Sequence, residues 1–76
     1  MDPKTVLAFA LPISIGIVGF GSALALGRTV AAAMESTGRQ PEAATKILIS
    51  MAVGCAFIEA LTIYALVVVF LLLGKL

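Results

Sequence analysis

Histidine and tryptophan are absent, cysteine occurs once, and charged residues make up only 12% of the 76 positions. Without histidine the commonest general base and metal ligand is missing. The single Cys55 cannot form an internal bridge, and in its apolar run it reads as a small buried hydrophobe rather than a reactive thiol. Five basic and four acidic residues leave a net charge of +1, so there is no footprint for a nucleic-acid partner. No nucleophile–base pair is present, which argues against an enzyme active in its own right. No metal site and no cofactor are expected. What the chain does have is hydrophobicity, at 62% of its residues, against about half in soluble domains. A chain this short buries only a small core in water. Its apolar surface therefore needs lipid, or many copies of itself.

Two runs carry that surface. Thr5 to Gly27 is free of charge, and Ile47 to Gly74 contains only Glu59. Each exceeds the roughly 20 residues that cross about 30 Å of hydrocarbon. The N-terminal run has no basic cluster ahead of it and outlasts a signal-peptide core, so it reads as a span that stays. Between the runs, from about Arg28 to Lys46, lie two Arg, two Glu, Gln40, Pro41 and Lys46. The fold expected is an all-α membrane protein, a two-transmembrane-helix antiparallel hairpin assembling into a homo-oligomeric ring. As one domain, 1–76, it divides into helix 1 over about 4–37, a polar loop over about 38–41 and helix 2 over about 42–75. Gly38 is placed to close helix 1 in the left-handed conformation. Pro41 suits the first turn of helix 2, where Glu42 meets the positive end of the helix dipole. Pro12, near the start of the first span, is a candidate kink. Three basic residues in the link against two at the ends place the link in the cytoplasm by the positive-inside rule.

The stretch from Gly19 to Gly27 carries a small residue at every second position. At about 100° per residue, Gly19, Ala23 and Gly27 fall on one side of a helix, and Gly21 and Ala25 nearly opposite. A simple helix dimer needs one small-residue face. Two such faces suit a helix held between two close neighbours, as in a closed ring, whereas tight packing inside one hairpin needs only one.

Glu59 sits near the centre of the second run and so near the bilayer midplane. An ionised acid there costs on the order of 2.5–3.5 kcal/mol even on lenient insertion scales. Such a residue is a functional hypothesis by default. Ala52, Cys55, Ala56, Thr62 and Ile63 share its side, a mostly small face that another helix can cover. No Lys or Arg lies within the charge-poor runs to hold it permanently. The carboxyl must be neutral most of the time, holding a proton or a metal cation. A group that takes up an ion, crosses lipid neutral and releases it elsewhere is a carrier, not a bond-making catalyst.

The run Gly38-Arg39-Gln40-Pro41-Glu42-Ala43, with an acid twenty residues after the arginine, resembles the proteolipid (c-ring) component of F-type ATP synthases. Glu59-Ala60-Leu61-Thr62-Ile63-Tyr64 resembles the plastid and bacterial members with glutamate at the ion site. The resemblance covers nearly the whole chain. It implies a ring of identical hairpins, helix 1 inside, packed through Gly19, Gly21, Ala23, Ala25 and Gly27. The ring would turn against the stationary a subunit of the ATP synthase as ions bind and leave Glu59, with an arginine of that stationary partner opening the site. Arg39, Gln40 and Pro41 would meet the central-stalk subunits gamma and epsilon on the cytoplasmic side. The Phe57 carbonyl and Tyr64 hydroxyl match positions that hydrogen-bond the carboxyl.

Three departures from the family pattern shape the expectations. Alanine at 23 and 25, where glycine is usual, should widen the ring and raise the number of copies. Leu26 stands where relatives often have glutamine, and Ala60 where sodium-binding members have serine. Those changes remove two oxygen ligands and point to H⁺, although the Thr62 hydroxyl shares the face of Glu59. The function expected is a proton-translocating rotor subunit in a bacterial inner membrane, multi-pass, surrounded by lipid, with termini on the periplasmic side. With no transit peptide expected ahead of the first span, a bacterial membrane is favoured over that of an organelle. Arg28 and Lys75 read as interfacial anchors, with a lipid or polar-cavity contact inside the ring as the functional alternative for Arg28. Two rivals stay open: a sodium-coupled rotor of the same family, and a holin-like pore-forming hairpin.

Overall fold

The computed structural model describes residues 2–76. Helix α1 spans Pro3–Arg39, a 3₁₀ turn covers Pro41–Ala43, and helix α2 spans Ala44–Leu73. There is no strand among the described residues. The two helices lie antiparallel in a hairpin 59 Å long.

The start of α1 is set by chemistry at its first residues. The Asp2 carboxylate accepts from the Thr5 N–H at 2.9 Å, and Pro3 occupies the first helical position, where a missing N–H costs nothing. Pro12 has no N–H to offer the preceding turn, yet α1 runs through it as one helix.

The link is tighter than the sequence suggests. Gly38 does not adopt a left-handed conformation. No described residue, glycine included, has a positive φ, and both Gly38 and Arg39 remain in α1. The expected loop over about 38–41 is replaced by Gln40 alone, between α1 and the 3₁₀ turn. Gln40 leaves the helical region (φ −134°, ψ 72°) and still donates its N–H to the Ser36 carbonyl at 2.9 Å. Helical hydrogen bonding therefore persists to the last residue before Pro41. An i,i+4 ion pair from Arg39 to Glu35 supports this last turn. Pro41 opens the 3₁₀ turn, with Glu42 in its first turn. At the other end α2 stops at Leu73 rather than about 75, and the N–H groups of Lys75 and Leu76 donate to the carbonyls of Leu72 and Leu73.

The seam between the helices is a stripe on each. On α1 it follows Leu11, Ile15, Val18, Ser22, Leu26, Thr29 and Ala33, and on α2 Ile47, Met51, Ile58, Thr62, Ala65, Val69 and Leu72. These three- and four-residue steps keep one face of each helix turned to the other. Only Leu11, Ser22 and Ala33 are buried among the described residues. Phe9, Ile17, Phe20, Leu61, Phe70 and Leu71 are each at least 60% exposed, so the hairpin covers little of its apolar surface. Both helices are long and apolar enough to cross a membrane.

Candidate functional site

One side-chain bond joins the helices in the middle of the seam: the hydroxyls of Ser22 and Thr62 are 2.5 Å apart. It fixes the register. Stepping along antiparallel helices from this pair, Ala25 lies level with Glu59, and Ala33 with Met51. A groove at the loop end lined by Ala33, Ser36, Ile47 and Met51 has the same alignment. Thr29 and Thr37 use their hydroxyls differently, donating to the carbonyls of Ala25 and Ala33 at 2.8 and 2.9 Å. Each of these hydroxyls thus has a partner where water is scarce.

Glu59 follows the seam residue Ile58 but lies about 100° around α2 from the seam's midline, on the hairpin's flank. There it is exposed, and among the described residues it has no hydrogen bond or ion pair. Thr62, one turn on, is half-buried and directed into the seam toward Ser22. Its hydroxyl serves the hairpin, not the carboxylate.

Phe57 and Tyr64, at 74% and 66% exposure, lie about 100–120° from the seam in the opposite sense. A single copy therefore does not bring their side chains to Glu59. Two and five residues are the wrong separations for sharing a helix face. The small residues divide between the same two flanks. Gly19, Ala23 and Gly27 are on the Glu59 side, and Gly21 and Ala25 on the side of Phe57 and Tyr64. A Cβ added at Gly19, Gly21 or Gly27 would meet no atom within 4 Å. The hairpin does not use its own smooth faces.

At the loop, Arg39 ends α1 and is paired with Glu35, Gln40 links the elements and Pro41 begins the 3₁₀ turn; all three are exposed. Sequence reasoning missed Ser22 and the Asp2 cap. Ser22 lies in the small-residue run and carried no distinguishing sign, whereas Asp-Pro before a helix was the available sign of the cap.

Two apolar spans, a tight polar turn and one unpartnered carboxylate at mid-span define a hairpin proteolipid of the membrane. Comparison with known proteins carries this to a family. The family profile for the C subunit of ATP synthase matches residues 9–72. The ATP synthase c subunit of Protochlamydia amoebophila (strain UWE25) is 56% identical over 75 residues, covering 99% of this chain and 76% of that one. That of Synechococcus sp. (strain JA-2-3B'a(2-13)) is 52% identical over 77 residues, covering 96% and 93%. That of Clostridium botulinum (strain Hall) is 35% identical over 78 residues and covers 99% of both. No solved structure matches. The chain belongs to the family of ATP synthase C subunits: it is an ion-translocating, non-catalytic rotor component of the membrane sector.

Proposed function

We propose that the ion carried is H⁺ and that Glu59 carries it, in a site completed between copies. The observation that carries this reading is the division of the two flanks. Glu59, with Gly19, Ala23 and Gly27, lies on one side of the hairpin, and Phe57 and Tyr64, with Gly21 and Ala25, on the other. Packing the first flank of one copy against the second flank of the next sets smooth backbone against smooth backbone. It also brings a tyrosine hydroxyl and a backbone carbonyl toward a carboxyl that its own chain leaves bare. Such a contact is heterologous, so repeating it generates a ring when the rotation closes.

Proton rather than sodium follows from the oxygens at hand. A hard cation needs several oxygen ligands. Leu26 and Ala60 supply none, and the Thr62 hydroxyl is engaged by Ser22. A carboxylic acid needs only an acceptor for its proton and a donor to its carbonyl.

In the assembled motor, the ring turns against the stationary a subunit, whose arginine stabilises the Glu59 carboxylate so that its proton is released to water, and the exposed Arg39-Gln40-Pro41 turn meets gamma and epsilon. The turn faces the cytoplasm and both termini face the periplasm, in a bacterial plasma membrane. The reagent that tests the carrier is a hydrophobic carbodiimide, which attacks protonated carboxyls in apolar surroundings. Its rate with Glu59 should fall with rising pH and be unchanged by millimolar sodium. Protection by sodium would assign the site to Na⁺, and absence of labelling at Glu59 would remove the carrier.

A further inference from the structure

We infer that the groove at the loop end of the hairpin holds water between neighbouring copies and passes protons between the loop-side solution and Glu59. The inference rests on the ring arrangement proposed above. The groove, about 390 Å³ in volume, is lined by Thr29, Ala33 and Ser36 of α1 and by Lys46, Ser50 and Met51 of α2. A second hollow of about 330 Å³ shares Ser36 with it and continues past Arg39 to Gln40. The groove is thus open to solution at the exposed turn.

Its chemistry is that of a wet surface. Thr29 and Thr37 satisfy their hydroxyls on backbone carbonyls of α1. The Ser36 and Ser50 hydroxyls have no hydrogen bond among the described residues, and the exposed Lys46 ammonium has no ion pair there. Ser36, Lys46 and Ser50 all lie on the flank of Phe57 and Tyr64. In the ring, that flank meets the Glu59 flank of the next copy. At the height of the groove the latter presents Val30, Met34, Leu48 and Ala52, whose side chains offer no hydrogen bond. Sealing the groove with these alone would strand two hydroxyls and a charge away from water, which costs more than keeping the groove wet. At about 30 Å³ for each molecule, several waters fit beside the tips of Met34 and Leu48.

The height of the groove's inner end gives this water a function. In the register set by Ser22 and Thr62, Thr29 is level with Cys55 and Ala25 with Glu59. Copies related by rotation in a ring share one height. The inner end of one groove therefore opens opposite Cys55 of the next copy, one turn or roughly 6 Å short of that copy's Glu59. Two hydrogen-bonded waters span such a gap. When Glu59 releases its proton, the carboxyl O–H bond breaks and the proton joins the adjacent water as hydronium. Each water in line then passes one proton on, until the charge leaves the groove at Gln40. Uptake runs the same steps in reverse. Toward the termini the flank is drier: Leu61 and Val68 are apolar, and the Ser14 hydroxyl donates to the Leu11 carbonyl at 2.8 Å.

The test uses the native Cys55 as reporter, in intact rings of the full chain embedded in lipid vesicles. The probe is silver ion in chloride-free buffer, which combines with ionised thiols and hence with thiols that touch water. Thiol left unreacted is counted with a maleimide after unfolding in SDS. Cys55 of wild-type rings should react within minutes. Ser36→Leu and Ser50→Leu, which fill the groove, should each slow it several-fold, while Ser14→Leu, on the same flank toward the termini, leaves the rate unchanged. Passive proton flux through vesicles holding the whole membrane sector should fall several-fold in the same two variants. Wild-type rings whose Cys55 stays unreacted for hours, although the unfolded chain reacts at once, would overturn the inference, and this comparison decides even when a variant fails to assemble. Slowing by Ser14→Leu alone, or proton flux that neither groove substitution lowers, would overturn it as well. Chains that form no ring at all, as native mass spectrometry shows, refute the ring reading first and the groove passage with it.

Discussion

Replacing Glu59 by Gln keeps the side chain's shape and removes the proton it can exchange. Rings of Glu59→Gln should assemble at wild-type yield and resist carbodiimide labelling, and vesicles holding the whole membrane sector with that ring should show no proton uptake where the wild-type sector does. A holin-like pore would go on leaking after this change, so persisting ion flux would favour that rival. The Ser22–Thr62 bond serves another purpose, holding the height of α1 against α2. Polar bonds between membrane helices are worth about 0.6 kcal/mol on average. Ser22→Ala and Thr62→Val should each lower hairpin stability by about that amount, and the double variant by less than their sum, as unfolding of the detergent-solubilised chain can measure. Glu59 was legible in the sequence because one charge interrupts a long apolar run. Ser22 was not, since a hydroxyl barely alters hydropathy and its partner is forty positions away. The opposed flanks of Glu59 and Tyr64 were readable from their spacing alone, once the face turned to α1 was known.

Helix ends depend on a few local bonds. The Asp2 cap satisfies the Thr5 N–H at the start of α1, so Asp2→Ala should cost about 1 kcal/mol of helix stability. Amide exchange at Thr5 and Val6 should quicken, with little change at Ala33. The two spans were plain from their charge-free lengths, but the link was not. Glycine followed by a polar residue and proline carries the signs of a left-handed cap, and the chain instead keeps α1 helical to Arg39 and reverses through Gln40. Two effects that act together, the Arg39–Glu35 pair and the Gln40 N–H bond to Ser36, outweighed the glycine. Neither is visible until the last turn is built.

For the assembly, the unfilled space around the glycines separates packing between copies from packing within one. Gly19→Leu adds bulk where the hairpin has no neighbour, so helix content should be preserved while SDS-resistant oligomers disappear. Ala23→Gly with Ala25→Gly should let inner helices approach and reduce the number of copies per ring, read directly by native mass spectrometry or by imaging rings in a bilayer. An unchanged count would show that ring size is set elsewhere. Antiparallel packing leaves the beginning of α1 and the end of α2 on the same membrane face. A gene encoding two hairpins in tandem, joined by a short peptide from Leu76 to the next Asp2, would insert without turning either one over. Rings built wholly from such fusions can contain only even numbers of hairpins. If the natural number is odd, the fusion must add or drop one, and the ions passed per turn would change by one with it.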